Sequence, residues 1–328
     1  MDFNYINNIY IPEGSVSKIT DSQGFILWNK QGVQPDYLTL PKPNDNEIYY
    51  TTDSPKNRIY NPNMSYTSNS ILSNTYENGI GKIVFKNKLT SIWKEAFDWY
   101  SNHIENSAQL SLVRLPDTIT YIGYQAFKDH ESLTSINIPY GVTYIDIGAF
   151  DNCGFTSIDI PNTVNYLYGS TFAVCESLTK LILPDSVKTI GDGICFGCSN
   201  LRYVRLSENL TSLGLQSFSA CDNLQNIVIP NKVKLLGDEC FRGCENLESI
   251  TLPSTLETVG QSCFQMCEKL SLITCKALTA PSLGLWAFAY INSENLDTRI
   301  LRVPQNAEGY DTWLNQLGEG WTIEYITE

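Results

Sequence analysis

The chain has 328 residues, of which 42% are hydrophobic and 17% charged, and its 22 Lys plus Arg against 35 Asp plus Glu leave a net charge of −13. The apolar fraction excludes a disordered chain. The acidic balance excludes nucleic acid as the default partner, because phosphate binding needs a cationic surplus, and it disfavours an anionic membrane surface. The first ten residues, MDFNYINNIY, show neither the basic nor the apolar region of a Sec signal. No stretch reaches the roughly 18 apolar residues of a spanning helix. The expectation is a chain that neither exports itself by that route nor inserts into a membrane.

Residues 1–35 read as a separate module. Val16 and Ile19, a Gly24-containing turn, then Ile26 and Trp28 form a hairpin pattern with apolar residues that need something to pack on. The run I-P-E-G-x-V-x-K-I-x-D-x-x-G-x-x-L-W resembles N-terminal modules on phage and prophage structural proteins of gut bacteria. The resemblance implies attachment to a larger particle through Val16, Ile19, Ile26 and Trp28; docking onto the chain's own cap is the other reading. Residues 36–79 read as an N-terminal cap, with a strand over Glu47-Ile-Tyr-Tyr-Thr-Thr.

Internal repeats dominate residues 80–290. Leu110, Leu133, Phe155, Leu178, Leu201, Leu224, Leu247 and Leu270 open units of 23 residues, one of them 22, with the pattern L-x-x-I-x-L-P-x-x-V-x-x-I-G-x-x-x-F-x-x-C. Positions 4 and 6 alternate apolar, as Leu181 and Leu183 do, which places both on one face of a short strand. Pro at position 7 ends that strand, because it has no ladder donor. Positions 10 and 13, such as Val233 and Leu236, add inward apolar groups. Gly at 14 marks a turn that needs a small residue, and Phe at 18 and Cys at 21 complete the unit. A single unit cannot bury these side chains, whereas stacked units bury each column as a ladder. An imperfect unit begins near Ile80; its return to Leu110 takes 30 residues, so the segment around Trp99 to Gln109 should bulge. In the unit from Leu178, position 18 is Cys195 and the Phe slips to 196.

These columns resemble the BspA-like leucine-rich repeat family, in the form found in gut Bacteroidales. The resemblance implies a leucine-rich repeat solenoid, mostly β with short helical turns, of about nine to ten 23-residue units capped at both ends. It implies adhesion or ligand binding and no catalysis, with no cofactor. Residues 291–328 read as the C-terminal cap: a strand at Arg299–Pro304, an amphipathic helix carrying Tyr310, Trp313, Leu314 and Leu317 and stopped by Gly318, then an alternating strand from Trp321.

Six of the ten Cys occupy position 21 and read as a buried thiol ladder. The pairs Cys195/Cys198, Cys240/Cys244 and Cys263/Cys267 have zinc-like spacing, but a structural zinc needs four ligands and the chain has only two His, His103 and His130, with His130 in the Cys column. Nucleophile-elbow, metalloprotease and phosphate-loop motifs are absent. Two surface candidates remain. Lys180, Arg202, Tyr203 and Arg205 form a basic-aromatic patch at outward strand positions, suited to an acidic partner or an anionic sugar. Tyr121, Tyr144 and Tyr166 occupy position 12 in three successive units, either as cross-strand packing or as a platform for sugar rings. The functional expectation is a non-enzymatic protein that recognises a protein or a cell-surface glycan, carried on a virion or assembled particle. A bacterial surface or secreted adhesin, or a structural component without a ligand, are the alternatives.

Overall fold

A computed structural model of the chain describes residues 18–20, 26–29, 36–53, 60–99, 108–291 and 299–327. Two strands, β1 (Lys18–Thr20) and β2 (Ile26–Asn29), pair antiparallel with Ile19 opposite Trp28. Val16 lies outside the described residues, as do the side chains of Ile19, Ile26 and Trp28.

The repeats wind into a β-solenoid whose described rungs carry two short strands, except that the rung from Phe155 has an isolated bridge, Ser157 to Lys180, in place of the first. The first strand spans positions 3 to 6, as in Lys180–Ile182 and Ser249–Leu252, and stops before the position-7 Pro. The second covers positions 12 and 13 only and recurs in nine described rungs, from Ser91–Ile92 to Ser282–Leu283. Rungs pair in parallel and in register: Ile227 opposite Ile250 opposite Ile273 in one column, Leu213 opposite Leu236 opposite Val259 in the other. The inward columns are fully buried and form one continuous core.

The turn after the second strand is irregular but repeats its hydrogen bonds. N–H groups at positions 16, 18 and 20 donate to carbonyls of the next rung, as Gln125 to Ile147, Phe127 to Ala149 and Asp129 to Asp151. Positions 16 and 20 have left-handed backbone in nearly every described rung, whether or not they hold glycine: Gln125 and Asp129, Ser170 and Val174, Gln216 and Ala220. The regular Gly column lies elsewhere, at position 14, for a different reason: a Cβ on Gly191 would sit 2.2 Å from the Gly169 nitrogen, and one on Gly237 2.6 Å from the Gly214 carbonyl carbon. At these rungs the backbone beside the glycine leaves no room for a Cβ, whereas Asp146 and Tyr168 hold the same position in two other rungs.

Inside the turn, the position-18 rings stack in two runs. Phe97, Phe127, Phe150 and Phe172 have centroid spacings of 5.1, 5.7 and 5.9 Å; Phe218, Phe241, Phe264 and Phe288 follow at 5.7, 5.5 and 5.3 Å, closed by Trp313 at 5.4 Å. Between the runs Cys195 fills the buried place and Phe196 points outward, 39% exposed. The second-strand sheet breaks at the same rung, since Thr189–Ile190 and Ser212–Leu213 belong to separate sheets among the described residues. There the Asp192 carboxylate takes the Leu215 N–H at 2.9 Å.

All ten Cys are buried and free. The position-21 thiols donate to the position-18 carbonyl of the preceding rung, Cys153 to Phe127 at 3.1 Å, Cys175 to Phe150 at 3.2 Å, Cys198 to Phe172 at 3.0 Å and Cys267 to Phe241 at 3.1 Å. Small, apolar and able to donate once, Cys suits a buried slot that faces a carbonyl. His130 does the same work: its Nε2 lies 2.6 Å from the Phe97 carbonyl while Nδ1 accepts the Leu110 N–H at 3.1 Å, which fixes the neutral tautomer.

At the N-terminal end the arrangement departs from a simple stack. Strand β3 (Glu47–Thr52) lies antiparallel between β5 (Ile80–Phe85) and β7 (Leu110–Arg114), with β4 (Ile71–Glu77) at the outer edge of β5. Of the first unit's two strands, the second, β6 (Ser91–Ile92), therefore pairs directly with the next rung, at β8 (Tyr121–Ile122), while its turn joins the same rung as Glu95 and Phe97 N–H donate to the Tyr124 and Ala126 carbonyls. A strand inserted on one side accounts for the imperfect Ile80 unit. Of the segment expected to bulge, residues 100–107 lie outside the described residues. At the C-terminal end Arg299–Pro304 continues the first-strand ladder, helix α1 (Asp311–Leu317) buries Trp313 and Leu317 over the last rung, and Trp321–Ile326 pairs in parallel outside. No helix of the described residues is long and apolar enough to cross a membrane.

Candidate binding surface

The second strands leave position 12 outward while position 13 is buried, as with Tyr144 beside Ile145. In-register parallel pairing then stacks identical residues. Tyr121 is opposite Tyr144, and Tyr144 opposite Tyr166. The rings of Tyr144 and Tyr166 lie 4.8 Å apart and 4° from parallel. That geometry changes what the row can offer: the two ring surfaces that face each other are closed to a sugar, while the edges and hydroxyls stay outward. Tyr121 turns its hydroxyl to donate to Asp146 Oδ2, whose other oxygen accepts the Ile147 N–H at 2.7 Å. Partial burial, and then the Asp146 carboxylate, push the Tyr121 phenol well above its ordinary range.

The neighbouring turn widens the row into a face. Tyr168 at position 14 and Tyr140 in the preceding loop are exposed. At position 15, Lys94 places its ammonium 5.0 Å from the Tyr66 ring and 5.1 Å from the Tyr124 ring. The sequence reading of position 12 did not include Tyr66, Tyr124 and Lys94. The signal for the latter two was the repeat itself, because Lys94, Tyr124 and Ile147 share one column next to the Tyr row; Tyr66 reaches the face from the cap.

The basic-aromatic patch is placed as expected in register, Lys180 opposite Tyr203 and Ile182 opposite Arg205. Its side chains are less available than outward strand positions suggest. Tyr203 is only 6% exposed, with the Lys180 ammonium 5.8 Å from its ring centroid. Arg205 is engaged across the rung, donating to both Asp185 carboxylate oxygens at 3.0 and 3.2 Å and to the Leu183 carbonyl at 3.2 Å. This latch spans the two rungs between which the second-strand sheet breaks. Arg202 is exposed.

Among the described residues no three His, Cys, Asp or Glu side chains gather as metal donors. In the zinc-like pairs, Cys198, Cys244 and Cys267 already donate to carbonyls. Burial pushes the Cys153, Cys175, Cys221, Cys244 and Cys267 thiols well up, so they stay protonated.

The sequence matches the BspA type leucine rich repeat region over residues 99–224 and 211–301, in six copies. Among solved structures, the chain is similar to a leucine rich cell surface protein from Faecalibacterium prausnitzii, at 23% identity over 50% of this chain and 59% of that one, with a TM-score of 0.36. It is similar to a leucine rich repeat protein of T. pallidum at 30% identity, over 49% of this chain and 73% of that one, TM-score 0.44. A leucine-rich repeat protein from Bacteroides ovatus shares 20% identity over 78% of this chain and 90% of its own, TM-score 0.29. The chain thus spans about three fifths of the length of the Faecalibacterium protein. No curated protein sequence matches it significantly. With its repeat columns, its ladders and a family match covering more than half its length, the chain belongs to the BspA-type leucine-rich repeat family.

Proposed function

We propose that the protein is a non-catalytic recognition protein that binds a partner protein through its tyrosine face. The observation that carries this reading is the convergence of Tyr66, Tyr121, Tyr124, Tyr144, Tyr166 and Tyr168 around the second strands and turns of the N-terminal rungs. Tyrosine contributes large contact area at small conformational cost, and its hydroxyl pairs with backbone or side-chain groups of a partner. Stacked rings that offer edges and hydroxyls suit a protein surface better than the CH faces of a sugar.

The setting we propose is a phage or prophage particle, with residues 1–35 as the attachment module; the resemblance of that segment to phage structural modules supports it. A bacterial surface adhesin fits the repeat family equally well. Cross-linking to copurifying proteins from the native source, with wild type and a Tyr144→Thr/Tyr166→Thr variant side by side, tests the binding face. Thr stands at the same position in later rungs, Thr189 and Thr258, so the variant keeps the repeat. The expected result is loss of the wild-type partner by about tenfold or more with an unchanged far-UV spectrum. Equal capture by both proteins would remove the tyrosine face as the site.

A further inference from the structure

At two ends of its ladders the fold closes the open edge. The outermost N-terminal strand, β4, breaks register between Ile71 and Ser73. At the C-terminal end of the second-strand ladder, α1 lies beside Ser282–Leu283, where Trp313 Nε1 donates to the Pro281 carbonyl at 2.9 Å and Gln316 Nε2 to the Gly284 carbonyl at 3.2 Å. Bulges and covering helices keep a sheet edge from pairing with another chain. The final strand, Trp321–Ile326, has neither. It runs beside Arg299–Pro304 in unbroken register over six pairs and is the last strand of its sheet among the described residues. Its sequence, Trp-Thr-Ile-Glu-Tyr-Ile, holds no Pro and no Lys, and its one charged residue, Glu324, already accepts from Arg302 Nε at 2.9 Å.

The backbone of this strand turns alternate residues outward. The Ile326 carbonyl accepts the Gln305 N–H at 3.0 Å, so Ile326 faces the neighbouring strand, and alternation gives Thr322 and Glu324 the same direction. The N–H and C=O groups of Trp321, Ile323 and Tyr325 therefore point away from the sheet. Ile323 is the middle one of the three, so an antiparallel copy of the same strand matches all of them about a two-fold axis at Ile323. In that register Trp321 faces Tyr325 of the second copy, Ile323 faces Ile323, and Thr322 faces Glu324. Each outward pair exchanges two backbone hydrogen bonds, about six in all. The Trp321–Tyr325 pairing, made twice by the symmetry, covers a Tyr325 ring that is 60% exposed. Slipping by two residues in either direction takes an outward residue off the partner strand, and one direction sets Glu324 against Glu324.

We propose that the protein associates with a second copy of itself by antiparallel pairing of Trp321–Ile326 across this two-fold axis. Self-complementarity argues for that occupant: the strand supplies the donors and acceptors that its own copy requires, in a register that opposes no like charges. A six-residue ladder is small for a protein interface, so the association is reversible and depends on concentration. Pairing two copies doubles whatever recognition surface each carries. The contact is separate from the tyrosine face and does not depend on that reading.

Sedimentation velocity on the full chain from about 5 to 500 μM tests the pairing, in about 0.15 M NaCl to screen repulsion between two chains of net charge −13. Wild type should pass from monomer to dimer over this range. Thr322→Glu, which sets a carboxylate against Glu324 of each copy, should need about tenfold more protein, with an unchanged far-UV spectrum because Thr322 is exposed. The register has its own readout. Thr322 and Glu324 of the second copy lie roughly 4.5–5.5 Å apart in this pairing, within disulfide reach, whereas Thr322 and its copy, or Glu324 and its copy, lie roughly 7–8 Å apart. An equimolar mixture of Thr322→Cys and Glu324→Cys, treated with oxidised glutathione, should therefore give a linked dimer, and either protein alone about tenfold less. The ten native Cys are all buried and do not compete. Monomer at every concentration would overturn the proposal. So would association of Thr322→Glu equal to that of wild type, cross-linking as strong in either cysteine protein alone as in the mixture, or loss of the dimer in Tyr144→Thr/Tyr166→Thr, which would move the contact to the tyrosine face.

Discussion

His130 shows how one residue can satisfy a repeat column while changing its chemistry. Like the thiols that follow it, the ring donates to a buried position-18 carbonyl, but it also titrates. Burial outweighs the hydrogen bond to Phe97 and lowers its pKa from 6.5 to about 4. The folded state therefore binds a proton less readily than the unfolded chain. Stability from the neutral ring is complete above pH 6.5 and falls as the pH drops from 6.5 towards 4. Over that window the loss is on the order of 3 kcal/mol. Urea titrations at several pH values should show this slope in wild type and a flatter one in His130→Cys, which is also less stable at neutral pH because Leu110 N–H loses its acceptor. An identical slope in both proteins would locate the acid sensitivity elsewhere. Left-handed residues belong to this scale too. Glycine is the usual signal for such backbone, yet here Gln125, Val174 and Ala220 adopt it because rung-to-rung hydrogen bonds hold the turn, at a cost of about 1–2 kcal/mol each.

Among the elements, the Phe ladder and the break in it make opposite predictions for the same residue type. Phe241 is fully buried between Phe218 and Phe264. Phe241→Ala should cost about 3–5 kcal/mol in chemical denaturation, from lost transfer energy plus a cavity that a stacked rung cannot close. Phe196→Ala, at the place where the ring slipped outward, should change stability by about 0.5 kcal/mol or less. Equal costs would mean that the ladder is not the unit of stability. The slip is visible in the sequence as Cys195-Phe196. Its consequence is not: the second-strand sheet breaks there, and Arg205, read from sequence as a candidate ligand contact, is held across the same two rungs by Asp185 and the Leu183 carbonyl.

At the level of the whole molecule, each rung's stability depends on its neighbours, so the ends decide solubility. Trp313 closes the Phe ladder at 5.4 Å from Phe288, with its indole N–H donating to the Pro281 carbonyl at 2.9 Å. Removing residues 299–328 should expose Phe288 and the last rung and convert a monodisperse protein into aggregates in size-exclusion chromatography. A deletion variant that remains monodisperse with wild-type melting would show that α1 and the final strand are dispensable. At the other end, the inserted β3 strand means that the cap enters the sheet between the first two units rather than covering the outermost one.

The repeat period, the inward columns and the Cys ladder were all legible in the sequence, because each follows from periodicity, and a period with one buried face has essentially one way to stack. Tyr121, Tyr144 and Tyr166 were legible as neighbours for the same reason. What their rings offer was not. Parallel in-register pairing sets Tyr144 beside Tyr166, and their rings stack with centroids 4.8 Å apart, which closes the two facing surfaces. The availability of Arg205 and Tyr203, the antiparallel intrusion of β3, and the left-handed exposed rings of Trp286 and Tyr290 likewise depend on contacts between residues far apart or on backbone angles set by the next rung. Sequence by itself determined which residues share a column; only the tertiary structure decided which faces of those residues remain open, because openness is a property of neighbours across rungs and not of a residue and its own chain position.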